Sequence, residues 1–159
     1  YTRFVANNSG QDKNFWSNMR NSGSRTAWSG YAFEQVCLHH IRQIKWALGI
    51  DGVQTSVCSW ATLPTMDADG KKHEGAQIDL VIDRRDQTIN LCEMKFCMRP
   101  FEITPTYLEH IISRRELFRE VTGTNKALHL TFVTTYGLVK NAQYGMIQSE
   151  VTMDDLFKY

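Results

Sequence analysis

The predicted fold is decided by Gly75-Ala-Gln-Ile-Asp-Leu-Val-Ile-Asp83 and, after a charged turn, by Thr88-Ile-Asn-Leu-Cys-Glu-Met-Lys-Phe96. Both segments are rich in the aliphatic residues that favour strands. Between them, Arg84-Arg85-Asp86-Gln87 has the polar composition and the length of a hairpin turn. We therefore predict that the two segments pair as adjacent antiparallel strands.

The second strand carries an acid and a lysine side by side. Because side chains alternate between the two faces of a strand, Glu93 and Lys95 should share one face with Leu91. Cys92 and Met94 should lie on the opposite face. Taken by itself, the acid and the lysine could form a surface ion pair, which contributes at most about 1 kcal/mol.

The first strand places a carboxylate among apolar residues. Asp79 lies between Ile78 and Leu80, and an unpartnered carboxylate in such surroundings is costly to bury. A divalent cation held between Asp79 and Glu93 would remove that cost. The acid in the first strand thus favours a metal site over a simple ion pair at Glu93.

The composition indicates one domain. With 159 residues, 42% of them hydrophobic, the chain is long enough for a single core and too short for two. The formal net charge of +1 excludes a global basic field of the kind that marks many nucleic-acid binders. Binding to nucleic acid would therefore need a local patch.

The sequence carries no signal for secretion or membrane insertion. No run approaches the roughly 18 apolar residues of a membrane span, and no signal peptide opens the chain. The four cysteines lie in apolar or strand-like runs and not at the spacings of a disulfide scaffold. We predict a cytoplasmic protein that does not engage a membrane. The chain begins at Tyr1 and not at a methionine, which suggests a piece of a longer protein.

A polar segment precedes the first predicted helix. Residues 1–27 are rich in Asn, Ser, Gly and basic residues, which is typical of a linker or tail. Helical spacing of apolar residues then predicts a helix from Ser29, as its cap, to Gly49, as its terminator, with Glu34 beside the apolar stripe. The composition of residues 53–63 favours a strand, and that of residues 66–73 a turn.

A second helix follows the hairpin. It should begin at Thr104 and Pro105 and end at Gly123. Its predicted buried stripe consists of Leu108, Ile111, Ile112, Phe118 and Val121. Residues 127–135 favour a strand, residues 147–151 an edge strand and residues 154–157 a helical turn. The order helix, strand, strand, strand, helix, strand predicts an α/β domain in which helices flank a mixed central sheet.

These residues resemble the PD-(D/E)XK nuclease superfamily, which has the restriction-endonuclease-like fold. The resemblance depends on Asp79, on Glu93-Met94-Lys95, on Glu34 in a preceding helix and on the predicted element order. Three segments resemble, more narrowly, the C-terminal nuclease-like domain of bacterial AAA-like, archaeal-type ATPases: Trp28-Ser-Gly-Tyr-Ala-Phe-Glu34, Gly75-Ala-Gln-Ile-Asp-Leu80 and Cys92-Glu-Met-Lys-Phe96. The nuclease-like domain would cover residues 28–159.

The resemblance also implies partners. Residues 1–27 would connect the domain to an ATPase module that precedes it in the full-length chain. We expect no ATP site in this sequence, because Gly70-Lys71-Lys72 lacks the upstream glycine of a phosphate-binding loop. A homodimer is a further expectation, since many nucleases of this fold cut two strands as dimers.

The implied activity is cleavage of nucleic acid, DNA more than RNA, with Mg²⁺ or Mn²⁺. Asp79, Glu93 and the Met94 carbonyl would be the metal ligands, and these are the oxygen donors that Mg²⁺ prefers. Lys95 would hold the attacking water and stabilise charge on the phosphate. Glu34 would bind a second metal or order metal-bound water, although an acid beside an apolar stripe is equally compatible with a solvated side chain.

Three further residues are candidates for substrate contacts. Gln77 precedes Asp79 by two residues in the same strand and so shares its face. Arg115 and Arg119 share a face of the second helix and could contact phosphates. The acidic residue Glu116 between them is also typical of an ordinary solvated helix.

A second hypothesis is a catalytically silent nuclease fold that binds nucleic acid or a protein partner for the ATPase. The small net charge favours it, because no basic groove is evident. The complete set of acids beside a lysine favours catalysis, because binding alone does not require that set.

Overall fold

The computed structural model describes residues 23–66, 72–73 and 75–158. Residues 1–22 of the predicted linker and residues 67–71 of the predicted turn lie outside the described residues. The elements before the hairpin are α1 (Gly23–His39), α2 (Ile41–Ala47), β1 (Thr55–Thr62), β2 (Thr65–Met66) and β3 (Lys72–His73). The hairpin and the elements after it are β4 (Ala76–Arg84), β5 (Thr88–Lys95), α3 (Pro105–Thr122), β6 (Ala127–Thr134), β7 (Ser149–Thr152) and two 3₁₀ helices (Ala142–Met146, Met153–Phe157).

A five-stranded mixed sheet forms the centre of the molecule. Its strand order is β1-β4-β5-β6-β7, and β2 and β3 pair separately as a short hairpin. The β1–β4 and β4–β5 pairs are antiparallel, whereas β5–β6 and β6–β7 are parallel. The predicted α/β class and the predicted mixed sheet flanked by helices are confirmed.

The β4–β5 hairpin forms as predicted. Its register pairs Leu80 with Cys92 and Asp83 with Ile89. Lys126 fixes the turn end of the hairpin, because its Nζ donates to the Arg84 carbonyl at 2.9 Å and also contacts the Asp83 carboxylate. The hairpin is therefore tied at one end, and the candidate residues lie at the other.

A β-bulge interrupts β4 at its predicted metal ligand. The pairing with β1 runs from Cys58↔Val81 to Trp60↔Ile78, so that two residues, Asp79 and Leu80, oppose the single residue between Cys58 and Trp60. Such an insertion bends the strand and changes which face a side chain takes. As a result Ile78 joins Val81 in one hydrophobic cluster, whereas Leu80 belongs to another.

Helices cover both faces of the sheet. On one face, residues of α1 and α2 pack against strand residues in the cluster of Phe33, Cys37, Ile44, Ile50, Leu80, Ile82, Cys92, Met94, Val133, Val151 and Leu156. On the other face, α3 supplies Phe118 and Ile111 to two smaller clusters. Leu91 lies in one of these, which confirms that it faces away from Cys92 and Met94.

The first predicted helix is two helices in the structure, and its predicted start is wrong. α1 begins at Gly23, so Ser29 lies inside the helix and does not cap it, and residues 23–27 are helical. The break lies at His40, whose ring Nδ1 donates to the Val36 carbonyl at 2.7 Å while its backbone N–H bonds the Cys37 carbonyl. The His40 ring thus occupies the Val36 carbonyl, which in a continuous helix would accept the His40 backbone N–H. Gly49, at φ 68°, ends α2 as predicted.

The helix α3 has the predicted ends. The Thr104 side chain accepts from the Tyr107 N–H at 3.2 Å, and Gly123 takes a left-handed conformation at φ 64°. The predicted stripe is wrong at Val121, which is 56% exposed, whereas Ile111 is 3% exposed. Within the described part of the chain, no helix combines the length and the apolar character that crossing a membrane requires.

Replacing Ile111 by alanine should lower the free energy of unfolding by about 2–5 kcal/mol, because it leaves a cavity in the core. Val121→Ala, on the exposed side of the same helix, should change it by less than about 0.5 kcal/mol. Urea unfolding followed by circular dichroism measures both. Equal losses in the two variants would contradict the described packing of α3.

Candidate functional site

The candidate site lies where β4 and β5 separate. Regular pairing ends at Leu80↔Cys92, and continuation of the register would bring the Met94 N–H opposite Ile78. Instead, this N–H donates to Oδ2 of Asp79 at 2.9 Å. The Asp79 carboxylate therefore replaces a backbone acceptor and holds the two strands together at the point where their ladder stops.

Glu93 is a buried carboxylate with three donors. It is 5% exposed. Its Oε1 accepts from Arg114 Nη1 at 2.6 Å, and its Oε2 accepts from the Tyr107 hydroxyl at 3.2 Å and lies 3.4 Å from Lys95 Nζ. The predicted placement of Glu93 and Lys95 on one face is confirmed by this contact. Burial raises the pKa of Glu93 against the opposing effect of Arg114 and Lys95, and Asp79 raises it further.

Lys95 and Tyr107 both keep their protons at neutral pH. Burial alone would lower the pKa of Lys95, but Tyr107 and Glu93 outweigh this effect and raise it. The pKa of the Tyr107 hydroxyl is raised by burial and by Glu93. Lys95 Nζ also lies 5.7 Å from the centre of the Tyr107 ring. The site thus presents an ammonium group and a hydroxyl donor to the same carboxylate.

Glu34 extends the acidic cluster from α1. It is half-buried, and burial followed by the neighbouring Asp79 carboxylate raises its pKa, while Lys95 opposes the shift. Burial also raises the pKa of the Cys37 thiol to about 12, with added effects of Glu34 and Asp79. A thiol that stays protonated at neutral pH is a poor nucleophile, so Cys37 has a packing role.

The acids have partners on helices that cover opposite faces of the sheet. Asp79 interacts with Glu34 of α1, whereas Glu93 bonds to Tyr107 and Arg114 of α3. Asp79 nevertheless raises the pKa of both glutamates, so the three carboxylates share one electrostatic environment. The three carboxylates repel one another, and a bound cation would relieve that repulsion.

Asp79, Glu93 and the Met94 carbonyl supply the oxygen donors that a hard divalent cation would need. Mg²⁺ binds through one or two carboxylates and keeps several waters. In the ranges that the structure describes, no three or more His, Cys, Asp and Glu side chains form a metal-binding group by themselves. A cation here would therefore depend on Asp79, Glu93 and the Met94 carbonyl with water. Both oxygens of Glu93 already have donors, so binding would require Lys95 or Tyr107 to release Oε2.

Of the predicted substrate residues, Gln77 contacts a residue of the site, whereas Arg115 and Arg119 bond residues outside it. Gln77 is exposed, and its carbonyl accepts from Arg114 Nη1 at 3.1 Å. Arg115 pairs with Glu116 at 2.8 Å. Arg119 donates to the carbonyls of Thr124 and Lys126 at 3.3 and 3.4 Å, beyond the end of α3. The arginine that reaches Glu93 is Arg114.

Sequence reasoning missed the roles of Tyr107 and Arg114. Both lie at helical spacing from Ile111 and Phe118, the two buried residues of α3. A tyrosine and an arginine on the buried stripe of a helix need polar partners in the sheet beneath it. That spacing is the signal that could have identified them.

Comparison with known proteins assigns no family. No family model and no curated protein matches the chain. A solved structure titled "Crystal Structure of Protein of Unknown Function AF1548" is similar, with 16% identity and a TM-score of 0.46. The match covers 78% of this chain and 64% of that one, so this chain spans less than two thirds of the matched chain's length. Similarity at this level carries no conclusion about activity.

Glu34→Gln should stabilise the fold at pH 7 in the presence of EDTA. Since the pKa of Glu34 is raised on folding, ionisation opposes folding, and this destabilisation is complete above the folded pKa. It disappears once the pH falls below the unfolded value, because both states are then protonated. The gain in melting temperature should therefore be present at pH 7 and absent near pH 4. The exposed Glu109→Gln is the control; an equal gain at both pH values would contradict the account.

Arg114→Gln should lower the free energy of unfolding by about 1–3 kcal/mol, because the buried Glu93 loses a charged donor. In a Glu93→Gln background, where no buried charge remains at this position, the same substitution should lower the free energy of unfolding by less. Urea unfolding of the four proteins gives the coupling energy. The neighbouring Arg115→Gln, whose partner Glu116 is exposed, provides the matched control. A coupling energy near zero would rule out the proposed dependence of Glu93 on Arg114.

Proposed function

We propose that the chain is a metal-dependent nuclease domain, which hydrolyses phosphodiester bonds in nucleic acid, DNA more than RNA. One observation carries the proposal: the acids Asp79 and Glu93, with Lys95, lie at the same end of one hairpin, and Glu34 interacts with Asp79 there. Paired carboxylates beside an ammonium group are the components that phosphodiester hydrolysis needs.

The proposed core is restriction-endonuclease-like. In its support, α1, β1, β4, β5, α3 and β6 give the order helix, strand, strand, strand, helix, strand, with the short α2 between α1 and β1. The short β2–β3 hairpin is inserted between β1 and β4, and β7 adds a strand at the edge beyond β6. This order agrees with the resemblance to the PD-(D/E)XK superfamily in the segments around Glu34, Asp79 and Glu93.

The protein residues can take separate roles in the hydrolysis. A Mg²⁺ or Mn²⁺ ion held by Asp79, Glu93 and the Met94 carbonyl would supply Lewis-acid activation of water and of the phosphate. The raised pKa of Lys95 suits it to donate hydrogen bonds to a phosphate oxygen or to water and not to remove a proton. Glu34, whose pKa is also raised, suits the role of a proton acceptor working nearer to neutral pH.

Tyr107 and Arg114 would position Glu93. They bond different oxygens of its carboxylate, at 3.2 and 2.6 Å, and so define its orientation. Arg114 also bonds the Gln77 carbonyl in β4, which links both strands of the hairpin to α3. Preorganised groups of this kind reduce the reorganisation that a reaction requires.

The proposed function also involves an ATPase module in the same full-length chain. The resemblance to domains that follow an ATPase module suggests that this domain is the effector of such a module, which would bind the ATP.

A second candidate function is a silent nuclease fold that binds nucleic acid or protein. The observation that favours it is the full set of donors around Glu93, because Arg114, Tyr107 and Lys95 together can stabilise the carboxylate without a metal. A purely structural ion-pair cluster would have the same contacts.

Asp79→Asn, Glu93→Gln and Lys95→Met should each reduce cleavage of labelled oligonucleotides in Mg²⁺ or Mn²⁺ by about 100-fold or more. The first two substitutions each remove a negative charge that would bind the metal. The third removes the positive charge that would stabilise the phosphate. Asp83→Asn is the matched control, because Asp83 is an acid of the same strand that pairs with Lys126 at the turn end of the hairpin. It should cleave at the wild-type rate.

Thermal stability measured with and without Mn²⁺ separates the two candidate functions. A metal site raises the melting temperature by mass action, and Asp79→Asn should remove that rise. Wild-type rates of cleavage by Asp79→Asn or Glu93→Gln would contradict the nuclease assignment. The absence of both cleavage and Mn²⁺-dependent stabilisation would favour the silent fold.

A further inference from the structure

The strand β1 has an open edge. It spans Thr55–Thr62 and pairs with β4 on one side. Among the described residues no strand pairs with its other side, because β1 is the first strand in the sheet order. The opposite edge strand of the sheet, β7, is only four residues long. An eight-residue edge presents a row of backbone donors and acceptors to any strand that can reach it.

The sequence of β1 lacks the features that protect edge strands. Thr-Ser-Val-Cys-Ser-Trp-Ala-Thr contains no charged residue and no proline, whereas natural edges commonly carry Lys, Pro or a bulge. The extra residue of the β-bulge belongs to β4 and not to β1. Residues 56–59 are consecutively exposed, so neither face of this part of the strand is covered by the described residues.

We propose that β1 pairs in antiparallel fashion with β1 of a second copy of this chain. In such a two-fold pair, each residue meets a residue of the same strand, so a charged strand would place like charges close together. An uncharged strand avoids this repulsion and is complementary to itself. The two five-stranded sheets would join into one continuous sheet.

The interface should be of modest strength. The proposed contact consists of a single strand from each copy, and contacts that bury less than roughly 1,200 Å² are typically weak or transient. We therefore expect a monomer–dimer equilibrium that depends on protein concentration. The inference is independent of the proposed nuclease activity, because it uses no residue of the candidate site.

Sedimentation of the full chain over a range of concentrations tests the proposal. The dimer fraction should rise with concentration in the wild type. Val57→Lys, at a position already 39% exposed, should give a monomer at every concentration because it places two ammonium groups across the two-fold axis. Val121→Lys, on the exposed side of α3, is the matched control and should dimerise like the wild type. Circular dichroism confirms that each variant folds.

Crosslinking locates the contact. Cys58 is exposed near the centre of β1 and is brought close to the Cys58 of the second copy by the proposed pairing. A short bis-maleimide should therefore link wild-type dimers, and Cys58→Ser should prevent the link. A monomer at all concentrations, or equal behaviour of Val57→Lys and Val121→Lys, would overturn the proposal. In a monomer, slow exchange of the β1 amides with solvent would show that another segment of the same chain covers the edge.

Discussion

The burial of the Glu93 carboxylate constrains the structure around it. A carboxylate that is 5% exposed requires hydrogen-bond donors around it, because desolvation of a polar or charged group is costly. Two of these donors, Tyr107 and Arg114, come from α3, and the third, Lys95, is two residues further along the strand. The same contacts hold α3 on its face of the sheet. One carboxylate thus links the helix, the hairpin and the candidate site.

Asp79 constrains the other strand of the hairpin, β4. Its carboxylate accepts the Met94 N–H, and the bulge in β4 includes Asp79. The ladder between β4 and β5 therefore ends early, and the separated strands bring acids from α1, β4 and β5 near one lysine. Local irregularities of this kind are common beside functional sites, where they redirect a side chain. Here the irregularity includes one of the acids, Asp79.

Local rules predicted much of this architecture from the sequence. Alternation along β5 placed Glu93 with Lys95, and cap residues located both ends of α3, because these signals depend on neighbours in the sequence. The bulge at Asp79 was not predictable in the same way, since it depends on the register that β4 adopts with β1. The break at His40 depends on competition between a side chain and the backbone for one carbonyl. The partners of Glu93 lie on a distant helix, so alternation within the hairpin could not identify them.

If the end of the hairpin is a cation site and not a closed ion-pair cluster, a divalent ion should bind between Asp79 and Glu93. Anomalous diffraction from crystals soaked in Mn²⁺ tests this expectation most directly. We predict a single strong peak within bonding distance of Asp79 and Glu93, with Lys95 moved away from its 3.4 Å contact with Glu93. Unchanged positions of both acids and no anomalous peak between them would contradict it.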